Sequence, residues 1–227
     1  MIDADALARI PLFEGLPRSE ISGLMEHLHQ RTFPAAASVL IAEQPGEAVY
    51  VIVSGSVKVH ALRPDGTEVV LAVLGAGETL GEMSAADSLG RSAGVVTLEE
   101  TALLWMDRRT FGASVASSAV LSRNLFGILS KRVRVANARL IALASLDVPG
   151  RVASQLLSLA REYGQKGPEG RRIPMRLTQA DLAALVGASR VSVNQALGRL
   201  RKGGAISIGE DGRLIVHDEE ALSRRAR

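Results

Sequence analysis

Between Arg109 and Ser145 the chain has no proline, and glycine stands only at Gly112 and Gly127. Within that stretch Leu125, Leu129, Val133, Ala136, Leu140 and Leu143 recur every three or four residues, which is one apolar stripe along one helix. The spacing predicts a helix over about 109–145, well beyond the three or four turns usual in globular domains. A single sheet is short cover for such a stripe. A second copy laid alongside in parallel is the natural partner; packing wholly against its own sheet is the other solution.

The segments before and after this helix differ in texture. Residues 3–30 read as short helices: Ala6, Leu7 and Ile10 lead to Pro11, and Ser19 is placed to cap a helix carrying Ile21, Leu24, Met25 and Leu28. From Thr32 short β-type runs recur (Ser38–Ile41, Ala48–Val53, Ser56–Leu62, Glu68–Leu74, Ala93–Leu98, Ala102–Met106), with Gly and Pro between them. Closely spaced short strands imply a small antiparallel sandwich or barrel, and Asp65-Gly66 between apolar runs marks a hairpin. After the helix, Asp147-Val148-Pro149-Gly150 stops it and Asp147 can cap the next one, Arg151–Tyr163; Gly164–Gly170 reads as a loop. The expected division is residues 1–146 and residues 147–227.

The charge follows the same division. From Gly150 on, 14 Lys and Arg face 8 Asp and Glu, whereas the preceding residues carry 13 against 16. A basic end on an acidic body suits a polyanionic partner at that end.

Leu177 to Leu197 supplies a reason. Thr178 can cap a first helix with Asp181 in its first turn, and Leu182, Leu185 and Val186 form its inner face. Gly187 suits the turn, Ser189 can cap a second helix, and Val193, Leu197 and Leu200 point inward. Arg190, Ser192, Asn194, Gln195 and Arg199 are left outward, a polar set fitted to a major groove, with Thr178 and Gln179 at the first helix's start. Ala205–Ile208 and Arg213–Val216 then flank Gly209-Glu210-Asp211-Gly212, which reads as a wing. The fold class is α+β: an antiparallel β-roll, a long helix and a winged helix-turn-helix.

A second polar constellation lies in the β-rich part. Gly81, Glu82, Met83 and Ser84 are followed by Arg91, Ser92 and Ala93. Arg91 can fork onto two phosphate oxygens, the Ser92 hydroxyl can donate to the same group, and Glu82 can accept from a sugar hydroxyl. On their own these residues fit a surface ion pair beside a glycine turn at least as well.

Together the features resemble the cyclic-AMP receptor protein family, the CRP/FNR type of bacterial regulators. The likeness runs through the glycine spacing Gly46, Gly55, Gly66, Gly77 and Gly81, and the Gly81-Glu82…Arg91-Ser92-Ala93 cassette. It continues in Leu146-Asp147-Val148-Pro149-Gly150-Arg151 and Val186-Gly187-Ala188-Ser189-Arg190. The resemblance implies cyclic AMP as allosteric ligand, with Glu82 on the ribose, Arg91 and Ser92 on the phosphate, and Gly81, Met83 and Ala93 lining the pocket. It implies a homodimer on a two-fold symmetric DNA operator and RNA polymerase as a partner; a cytoplasmic location is the simplest fit to a sequence with no cysteine and no signal-peptide pattern. Two positions on the long helix that contact adenine in the family are here Ala136 and Asn137; Asn137 can bond a purine edge and Ala136 cannot. The base is therefore open: the same fold acting with cyclic GMP, with a cyclic dinucleotide or without ligand is the alternative. In the second helix Val191 stands where the family has a glutamate, and Gln195 suits adenine.

Other chemistry finds no residues. There is no cysteine, no nucleophile beside a base, and His27 and His29 have no third ligand, so neither an enzyme nor a metal site is expected. No apolar run is long enough to cross a bilayer, so no membrane partner is expected.

Overall fold

The computed structural model describes residues 2–87 and 89–226. Asp3 caps the first helix, α1 (Ala4–Ala8), its carboxylate accepting from the Ala6 N–H at 2.7 Å. The second helix, α2 (Arg18–Met25), begins behind Pro17 with no side-chain cap. Ser19, the expected cap, lies inside it; the fixed φ of proline sets the entry instead.

Strands β1 (His29–Phe33), β2 (Ser38–Leu40), β3 (Ala48–Ser54), β4 (Ser56–Leu62), β5 (Glu68–Gly75) and β6 (Thr79–Leu80) follow. A short helix α3 (Glu82–Asp87) and strands β7 (Gly94–Thr97) and β8 (Thr101–Asp107) complete the roll. They form two four-stranded sheets, ordered β1-β8-β3-β6 and β2-β7-β4-β5. Phe33, Leu40, Ile52, Val57, Leu74, Leu80, Val95 and Leu103 fill one apolar cluster. A second cluster gathers α1, α2 and the neighbouring helix residues Phe111, Leu121 and Leu125 around Val49, Val51, Leu104 and Met106. The strands start at His29 rather than near Thr32. β1 is exposed along four of its five residues, so no alternation announces it. The Asp65-Gly66 hairpin forms as expected: Gly66 has φ +79° and the Asp65 carboxylate accepts from Thr67 N–H at 2.9 Å.

The expected single helix over 109–145 is two, α4 (Arg108–Ser117) and α5 (Ala119–Ser145). Ser118 separates them with an extended backbone, and its hydroxyl accepts from Leu121 N–H at 3.3 Å. A serine that bonds its own backbone competes with helix continuation and caps the next helix. Along α5 the inner stripe ends early: Leu121 and Leu125 are buried and Leu129 is half-buried. Val133, Ala136, Leu140 and Leu143 are exposed, joined by Phe126 at 72%.

The chain divides into two compact units. One runs to Ala61 and includes Ala72–Arg134; the other holds Leu62–Leu71 and the chain from Val135 onward. The division falls within α5, so the helix belongs to both. In the second unit Asp147 caps α6 (Val148–Tyr163), accepting from Gly150 N–H at 2.8 Å, with Pro149 in the first turn. The stretch expected as a loop contributes a hairpin, β9 (Gln165–Gly167) and β10 (Gly170–Arg172). Helices α7 (Gln179–Val186) and α8 (Arg190–Lys202) follow, then β11 (Ile206–Ile208), β12 (Leu214–Val216) and α9 (Glu219–Arg225). The four strands form one sheet in the order β11-β12-β10-β9. Leu156, Leu182, Val193, Leu197 and Leu222, all on helices, are among the buried side chains of this unit.

Candidate ligand pocket and nucleic-acid interface

Gly81 and Arg91 meet beside the start of β3. Arg91 is 6% exposed; its Nη1 donates to the Gly81 carbonyl at 3.0 Å and its Nη2 to the Ala48 carbonyl at 2.6 Å. Its own backbone is clamped too, the N–H donating to Gln44 O at 2.9 Å and the carbonyl accepting from Glu43 N–H at 2.8 Å. Gly81 is required twice. Its φ is +77°, and a Cβ there would press on the Arg91 guanidinium and stand 3.0 Å from the Ala48 carbonyl. Burial lowers the Arg91 pKa, opposed by Tyr50, Glu82 and Glu47, and an arginine so held stays charged.

Glu82 begins α3 and is 2% exposed. Arg132 of α5 donates to its Oε1 and to the Thr79 carbonyl, and reaches Glu78 at 3.5 Å. Glu82 Oε2 is buried with no hydrogen-bond partner among the described residues, and so is Thr79 Oγ1. A buried carboxylate oxygen without a donor is costly, and a ligand hydroxyl would satisfy it.

Glu82, Arg91 and Arg132 line one cavity of about 80 Å³, together with Gly81, Met83, Ser84, Ser92, Ala93 and an apolar floor of Leu40, Val59, Leu74, Leu80 and Val95. Sites that enclose a drug-sized ligand measure roughly 300 Å³ or more, so this pocket must open to take a nucleotide. The fold brings together Gly81, Glu82, Met83, Arg91, Ser92 and Ala93. Ser92 and Met83 stand at the exposed side, with Ser92 Oγ 4.0 Å from the Met83 sulfur. Ala136 and Asn137 are exposed on α5. Sequence reading missed Arg132. The signal was its place four residues before Ala136, hence on the same helix face.

The second constellation is open rather than closed. Thr178 and Asp181 form a reciprocal capping box on α7: Asp181 N–H donates to Thr178 Oγ1 at 3.1 Å, and Thr178 N–H to Asp181 Oδ2 at 3.1 Å. Gly187 ends α7 at φ +63°, the left-handed turn that a side chain resists. Ser189 caps α8, accepting from Ser192 N–H at 3.1 Å. Val193, Ala196, Leu197 and Leu200 are buried, and Arg190, Val191, Asn194, Gln195 and Arg199 are exposed. Four expected contact residues are engaged with one another in pairs: the Ser192 hydroxyl pairs with Ser189 at 2.9 Å, and Gln179 Nε2 donates to Asn194 Oδ1 at 3.3 Å. In the wing, Asp211 accepts from Arg213 Nη1 at 2.6 Å and from Arg172 of β10. The Arg213 bond is the main cause holding the Asp211 pKa down at about 2.

Among the described residues no helix is long and apolar enough to cross a membrane, and no group of three His, Cys, Asp or Glu could hold a metal ion.

Comparison with known proteins meets both constellations. A family model for the cyclic nucleotide-binding domain matches residues 30–118, and one for the Crp-like helix-turn-helix domain matches residues 150–225. The chain is 37% identical over 223 residues to the CRP-like cAMP-activated global transcriptional regulator of Mycobacterium tuberculosis, covering 98% of this chain and 99% of that one. Among solved structures, FixK2 of Bradyrhizobium japonicum superposes with a TM-score of 0.79 at 18% identity, over 88% of this chain and 98% of that one. The c-di-GMP-responsive global regulator CLP of Xanthomonas campestris gives a TM-score of 0.70 at 28% identity, over 89% of this chain and 100% of that one.

Proposed function

The chain belongs to the CRP family of bacterial transcription regulators, and from that premise we propose that it is a homodimer whose affinity for a two-fold symmetric DNA operator is set by cyclic AMP. The observation that supports this most is Glu82, a buried carboxylate with an unpartnered oxygen in a pocket that also holds the buried Arg91. The ribose 2′-hydroxyl would donate to Glu82, and the cyclic phosphate would take donors from Arg91 and Ser92. The cavity is too small as it stands, so entry of the ligand would move Arg132 off Glu82. Arg132 is part of α5, and its displacement would bias how two copies of that helix pack. The exposed stripe Phe126, Val133, Ala136, Leu140 and Leu143 would be their seam. The winged helices would then turn about Asp147–Gly150 until both α8 helices reach successive major grooves. In this reading residues 1–146 sense and residues 147–227 bind DNA, with RNA polymerase as the downstream partner.

A second reading keeps the fold and changes the ligand. Ala136 offers a base only a methyl group, and a relative at 28% identity responds to a cyclic dinucleotide. One titration separates the two. Purified protein is titrated calorimetrically with cyclic AMP, cyclic GMP and cyclic di-GMP, and DNA affinity is read with each. Cyclic AMP raising DNA affinity supports the first reading; a response to another nucleotide alone supports the second.

A further inference from the structure

Val191 is 67% exposed in the first turn of α8. At 3.6 residues per turn, Val191, Gln195, Gly198 and Lys202 fall on one line, opposite the buried line of Val193, Ala196, Leu197 and Leu200. Val191 is thus the apolar centre of the outward face, beside the exposed Arg190. A large β-branched side chain there gains nothing from the chain's own packing. Gly198, on the same line, has no atom within 4 Å of where its Cβ would stand. A glycine inside a helix weakens it, and no internal contact asks for this one. Both residues suit a face that a partner approaches closely.

The neighbouring polar groups are partly committed, Ser192 to the Ser189 cap and Asn194 to Gln179. In a major groove the apolar feature a base edge presents is the C5-methyl group of thymine. Cytosine lacks that methyl and offers an amine that valine cannot accept from. We propose that Val191 is a specificity-determining residue that reads a thymine through its 5-methyl group, next to the base pair contacted by Arg190. This rests on the regulator reading and sharpens it: the preferred half-site carries thymine where a glutamate at this position would select cytosine.

The test uses the full-length protein with cyclic AMP. A preferred site is selected from random duplex DNA, and each thymine of one half-site and its symmetry mate is then replaced by uracil, which removes only the methyl. One symmetric position is expected to lose about threefold to fivefold in affinity per half-site, the worth of one buried methyl group. At that position 5-methylcytosine binds better than cytosine, and Val191→Ala no longer distinguishes thymine from uracil. A selected site with no uracil-sensitive thymine overturns the proposal alone, as does a uracil effect that Val191→Ala leaves unchanged. Failure to select any sequence with cyclic AMP, cyclic GMP or cyclic di-GMP overturns the regulator reading and this proposal with it.

Discussion

The pocket and the reading face are built on opposite plans. In the pocket the charged groups are turned on one another: Arg91 is spent on two carbonyls, Glu82 is held by Arg132, and about 80 Å³ is left between them. On α8 the side chains Arg190, Val191, Gln195 and Arg199 already face outward from a helix capped at Ser189 and set by Gly187. The reading face needs no rearrangement of its own, whereas the sensor does. Under the proposed function, control would lie in where the reading heads are held and not in whether they are folded, an arrangement that a population shift can exploit.

The sharpest way to break this contrast is Arg91→Ala. It removes the group that would hold the phosphate, and cyclic-nucleotide binding by calorimetry should weaken by about 3 kcal/mol, a hundredfold or more. The DNA-binding unit should keep its fold and its weak, salt-dependent DNA affinity. Loss of both together would show that the two regions are not separable. Next in size, Arg190→Ala should lower affinity for the preferred operator by about 2 kcal/mol and relax preference at one base pair, with nucleotide binding unchanged. Gly187→Ala tests whether the reading face is preset. Its φ of +63° and a Cβ only 3.3 Å from Leu143 should make the variant about 1–2 kcal/mol less stable in denaturant melts. The smallest effect concerns the wing. Asp211 titrates near 2 when folded, below an unfolded aspartate at about 3.9. Its contribution is complete above pH 4 and fades as pH falls toward 2, so amide exchange in Gly209–Arg213 should rise only in that acidic window.

The two regions also differed in how much the sequence disclosed. The helix-turn-helix was legible because its signals are local: Thr178, Gly187 and Ser189 each do their work within a few residues. Strands β3 to β5 were legible for the same reason, through period and turn residues. The pocket was legible only in part. Glu82 and Arg91 announced themselves by type and spacing, but Arg132 meets Glu82 from fifty residues away, and only its helical spacing from Ala136 pointed toward the pocket. The break at Ser118 was hidden because a serine inside an apolar-periodic run gives no sign that its hydroxyl will turn back to Leu121. β1 was hidden because an exposed edge strand has no alternation to read. Ala136 and Asn137 were placed by resemblance alone, and they are exposed on α5.

The exposed stripe of α5 has one more consequence. Phe126, Val133, Leu140 and Leu143 are exposed in the single chain, and a dimer sealed along them would make the apparent stability of the protein depend on how much of it is present. Dilution then acts against the folded regulator as heat does, and its melting temperature should climb with protein concentration. In a cell the number of copies would tune the response alongside the level of nucleotide. Two chemical signals, abundance and effector, would then converge on a single helix.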